Sequence, residues 1–91
     1  MSEAVFYNTI FELVEFLTKD VLTNTSKRLL MTYVKEAGED SPAAQGRSAI
    51  KRYIQKELPT LEEIREKSKT EELSKLDHLV LKMEYEATRI G

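Results

Sequence analysis

The sequence predicts an all-α fold: a small bundle of four main helices with a short extra helical turn near residues 60–67, packing as a homodimer. Three observations predict it. Apolar residues recur at helical spacing along the whole chain. No Asn-Gly or Asp-Gly pair appears, and no long stretch alternates with period two, so strands and hairpins lack their usual signals. Proline and glycine are sparse, two and three in 91 residues, and Gly38, Pro42 and Pro59 fall between the periodic segments. A chain of this length allows one domain, and residues 1–91 are expected to form a single helical domain.

The first helix is expected from about Glu3 to Leu22. Phe6, Ile10, Leu13, Val14, Leu17 and Val21 form one stripe, while Val5, Phe11, Phe16 and Leu22 fall outside it. A helix apolar on more than one side must bury more than one side, either within its own bundle or against a second copy. Phe11, Phe16 and Leu22 are therefore the expected apolar partner-binding set. Asn24, Thr25 and Ser26 offer N-caps for a second helix running to about Ala37, with Leu29, Leu30, Tyr33, Val34 and Ala37 facing inward. Gly38 supplies its stop, since glycine reaches the left-handed conformation without steric cost.

The third helix has the clearest start. Ser41 caps it and Pro42 fits the first helical position, where the missing N–H is not needed. It is expected to reach Leu58, with Ala43, Ile50, Ile54 and Leu58 toward the core and Pro59 ending it. Thr60-Leu61-Glu62-Glu63 reads as a capping box opening a short helix through about Lys67, with Leu61 and Ile64 as its apolar pair. The last helix either continues from that turn or restarts at Ser68. Its apolar residues Leu73, Leu76, Val80, Met83, Ala87 and Ile90 are spaced like a coiled-coil seam, too short to stand alone. It would be ~33 Å long beside a second helix of ~18 Å, which leaves seam for another copy to cover.

Charge is uneven. Net charge is −2, but residues 1–23 carry −3, residues 24–56 carry +4 and residues 57–91 carry −3. The basic centre is densest in GRSAIKRYIQKEL, residues 46–58. With Ile50 and Ile54 inward, Arg47 and Lys51 lie along the edge of the buried stripe, and Arg52 and Lys56 lie on the opposite side. These four are the candidate contacts for an anion or a nucleic acid. Such cations also serve as the solvated margin of an amphipathic helix, or pair with acids of the last helix such as Glu71, Glu72, Glu84 and Glu86. The acidic link Glu39-Asp40-Ser41-Pro42 after Gly38 fits a helix-turn-helix poorly.

Chemistry-bearing patterns are few. There is no cysteine, which excludes disulfides, thiolate nucleophiles and cysteine-ligated metals. His78 is the only histidine and lacks a Glu or His at metal-ligand spacing, and the neighbouring Asp77 points ~100° away around a helix. Glu62, Glu63 and Glu66 form an acidic cluster without the histidines that bundle metal sites use. No metal and no cofactor are expected. Acids interrupt the apolar run near the N-terminus, so neither a signal peptide nor a membrane span fits, and a cytoplasmic location is expected. Residues 74–80, SKLDHLV, resemble the Ser…Leu-Asp segment of short two-helix phosphatases that act on aspartyl-phosphate regulators. The resemblance covers seven positions with the spacing altered by one residue, and the activity is not carried over. The expectation is a non-catalytic regulatory or inhibitory protein, not an enzyme, acting by protein–protein contact through helical surfaces. Its partners would be another protein and a second copy of itself, with no membrane. A nucleic-acid-binding regulator using the basic helix 42–58 is the alternative.

Overall fold

The computed structural model describes residues 2–55 and 61–90, and these form five helices. They are α1 (Ser2–Thr18), α2 (Asn24–Glu36), α3 (Pro42–Gln55), the short α4 (Leu61–Lys67) and α5 (Thr70–Ile90). No strand occurs among the described residues, and no described helix is long and apolar enough to cross a membrane. The all-α class with four main helices and a short extra one is as expected. A break at Ser68 and Lys69 separates α4 from α5.

The start and stop chemistry explains most boundaries. Ser41 Oγ accepts from the Ala44 N–H (3.2 Å) ahead of Pro42, as expected of a cap. Gly38 follows α2 with φ +66°, the left-handed conformation that favours glycine. The cap of α2 is Thr23, one residue before the three expected candidates, and its hydroxyl accepts from the Ser26 N–H (3.1 Å). At α5 the Glu72 carboxylate reaches back to the Lys69 N–H (3.3 Å), half of a capping box. The box expected at Thr60 and the core placement expected of Leu58 lie outside the described residues.

α1 and α5 make the most extensive pairing, and α3 packs on both. The pair runs antiparallel: Lys19, just past the end of α1, bonds Glu72 at the start of α5, while Phe6 and Met83 meet beside Gly46. Phe6, Ile10, Leu13 and Val14 of α1 join Leu30 and Val34 of α2, Ala49, Ile50 and Ile54 of α3, and Leu76, Leu79, Met83 and Ala87 of α5 in one buried cluster. α2 docks chiefly on α3. α4 rests on the bundle through Ile64, which packs against that cluster.

The end of α1 corrects the sequence reading. The helix stops at Thr18, not Leu22, and Lys19 adopts φ +59°. Past that turn the expected periodicity inverts. Val21, assigned to the buried stripe, is 82% exposed, while Leu22 is buried in its own chain's core. The Leu22 N–H donates to Glu15 Oε2 (2.8 Å), which pins the reversal. Phe11 and Phe16 are only partly buried and pack against the core. Lysine ammonium groups stand over them: Lys27 Nζ is 5.5 Å from the Phe11 ring centre, and Lys19 and Lys75 Nζ are 4.5 and 5.3 Å from that of Phe16.

Other inward assignments shift by a residue. Leu29 and Ile90, both expected to face inward, are exposed. In α5 the buried set is Leu76, Leu79, Met83, Glu86 and Ala87, so Leu79 joins the core while Leu73 and Val80 lie at its margin. A seam assumes one partner on one side. α5 has α1 and α3 against it, and its buried arc is correspondingly wider. Tyr7, Tyr33 and Tyr53 flank the core, but Tyr85 is 62% exposed.

Candidate binding cleft

The basic helix α3 forms one wall of a cleft of about 300 Å³. Ile50 belongs to the buried stripe of α3, and Arg47, Ser48 and Lys51 stand beside it at the cleft. Leu13 and Leu17 of α1 and Leu76, Val80 and Met83 of α5 complete an apolar floor. α4 contributes Glu62 and Arg65 to the lining. The site thus has an aliphatic base, three cations and one carboxylate.

Ion pairs hold two of those cations in position. Arg47 Nη1 bonds Glu84 Oε1 on α5, and Arg65 Nη2 bonds Asp77 Oδ1, also on α5. Each contact uses one nitrogen of a guanidinium that carries five N–H donors, so donors remain on both side chains. Lys51 makes no ion pair among the described residues. Both bridged pairs are substantially solvated, and such pairs orient side chains more than they stabilise the fold.

The structure places the four expected anion contacts unequally. Arg47 and Lys51 stand together at the cleft. Arg52 is exposed and does not line it. Lys56 lies outside the described residues. Arg47 also meets one of the α5 acids, Glu84, named as a candidate partner for the α3 cations. Sequence reasoning missed Arg65, because nothing in the residues around it shows which side of the bundle α4 will lie on. It also missed the apolar floor, since each floor residue reads simply as core.

Other candidate chemistry stays dispersed. His78 is exposed on α5, and the adjacent Asp77 is engaged by Arg65. Among the described residues, no group of three or more His, Asp or Glu side chains gathers to hold a metal ion. Glu86 is buried, with Oε1 at 3.7 Å from Arg89 Nη1 and Oε2 without a hydrogen-bond partner among the described residues. No protein-family model, curated protein or solved structure matches the chain.

Proposed function

We propose that this is a non-catalytic regulatory or inhibitory protein of the cytoplasm that acts by binding another protein through its helical surface, with the α3–α4–α5 cleft as the contact. The observation that carries this reading is the pairing of an aliphatic floor with oriented cations at one opening. Interface hot spots are typically apolar anchors in desolvated pockets, surrounded by polar groups that set orientation and partner choice. The nucleic-acid alternative has fewer cations at the cleft than the sequence offered, since Arg52 does not line it.

The test uses the tagged full chain and a Lys51→Glu/Arg65→Glu variant, each cross-linked in extracts of the native host with and without nuclease. Wild type should capture a defined protein that the variant loses and that nuclease leaves in place. Identical capture by both chains overturns the reading. Capture abolished by nuclease transfers it to nucleic acid.

Self-association is a separate part of the proposal, and its residues move. Phe11, Phe16 and Leu22 are engaged within their own chain, whereas Leu81 (65% exposed) and Tyr85 (62%) stand one turn apart on the outer side of α5. Sedimentation of wild type against Leu81→Glu/Tyr85→Glu reads it. A wild-type chain that stays monomeric at hundreds of micromolar removes the dimer.

A further inference from the structure

We infer that the cleft takes up a small, uncharged, hydrocarbon-rich molecule, the size of a single ring or a short alkyl chain, seated on its aliphatic floor. The inference goes beyond the protein-binding reading: the ligand lies on the floor, whereas that reading is tested through the polar residues Lys51 and Arg65. The floor is made by Leu13 and Leu17 of α1, Ile50 of α3, and Leu76, Val80 and Met83 of α5. None of these side chains has an atom capable of a strong hydrogen bond. A water on such a floor lacks the roughly two to four polar partners that hold buried water in place. An apolar guest displaces that water at a gain, because it gives up no hydrogen bonds of its own.

Size and charge narrow the guest. The cleft holds about 300 Å³, and an apolar cavity of ~150 Å³ already accepts benzene. It stands at the lower end of the range of sites that enclose whole ligands, so the guest is small. The polar groups of the lining are answered by the protein itself. Arg47 is bonded to Glu84 and Arg65 to Asp77, and Ser48 Oγ donates to Glu39 Oε1 (3.3 Å). Lys51 and Glu62 add one charge of each sign. The described lining therefore offers no surplus charge to attract an ion. An ion carried down to the floor loses its hydration and gains no partner there.

The test is a titration of the isotopically labelled full chain with toluene, followed by methyl and amide NMR. Benzoate and benzylammonium, which carry the same ring with a negative or a positive charge, are titrated in parallel. Toluene should shift the methyl signals of Leu76, Val80 and Met83, and its ring protons should give nuclear Overhauser contacts to the Val80 and Met83 methyls. Both charged analogues should bind there at least tenfold more weakly. Val80 is half-buried at the margin of the core, so Val80→Trp fills the cleft from its side. That variant, checked for a native spectrum, should weaken toluene at least tenfold.

Absence of these shifts at millimolar toluene, or Overhauser contacts confined to other parts of the chain, overturns the site. Equal binding of benzoate or of benzylammonium overturns the preference for an uncharged guest. Undiminished toluene binding by a natively folded Val80→Trp chain also overturns the site, and where that variant fails to fold the Overhauser contacts in the wild type decide. Failure of toluene to bind leaves the protein-binding reading standing, because that reading is decided by whether Lys51→Glu/Arg65→Glu changes what the chain captures.

Discussion

A methyl group on Gly46 would stand 2.9 Å from Met83 Sδ, 3.2 Å from Phe6 Cζ and 3.3 Å from Ile10 Cδ1. Three helices meet at this residue, and its missing side chain is what lets them close. Alanine would favour the helix by about 1 kcal/mol, but crowding a packed core costs roughly 1–3 kcal/mol. Gly46→Ala should therefore lower the stability read from urea unfolding by about 1 kcal/mol, and Gly46→Leu should prevent native packing. Glu86 presents the opposite case. It is 7% exposed and one carboxylate oxygen lacks a hydrogen-bond donor among the described residues, a loss worth about 1–3 kcal/mol. Glu86→Met, close in shape and apolar, should raise the urea midpoint, and a lowered midpoint would show that the carboxylate supports the fold. Neither residue announces itself in sequence. In the sequence Gly46 only opens the basic stretch, and Glu86 is one of the acids offered to the α3 cations, because their meaning comes from neighbours far along the chain.

At the scale of elements, the legible boundaries are those written in local chemistry. Ser41-Pro42 and Gly38 mark α3 and α2 because a hydroxyl, a missing N–H and a missing Cβ act on adjacent backbone. The end of α1 has no such mark: its apolar spacing runs on past Thr18, and the reversal depends on Lys19 taking a conformation lysine rarely adopts. Lys19→Gly and Lys19→Ala remove the same side-chain contacts, but only glycine enters that conformation without strain. The glycine variant should be more stable than the alanine variant by about 1–2 kcal/mol in paired urea titrations. The same lysine clasps α5. Hydrogen bonds from Lys19 Nζ and from the Lys69 N–H hold the Glu72 carboxyl below the usual carboxylate range. A carboxylate so depressed favours the folded state above its unfolded pKa, and that contribution is lost as pH falls through the folded value. Carboxyl NMR titration should place Glu72 below an ordinary glutamate, and Lys19→Ala should move it upward.

For the whole molecule, the inward faces of Phe6, Ile10, Leu30, Ile50, Ile54 and Met83 were legible because burial follows helical spacing. The arrangement of helices around one another was not legible. That is why Arg47 and Lys51 stood out in the sequence while the cleft they border, and Arg65 at its lining, did not. Packing order has a further result for motion. α1, α3 and α5 brace one another, but α2 leans chiefly on α3. Among the longer helices it has the fewest ties to break, so it should be the first to come loose. Deuterium should enter the amides of Leu30 and Val34 sooner than those of Ile10 and Met83 under native conditions, and equal uptake rates would show that the chain opens only as a unit.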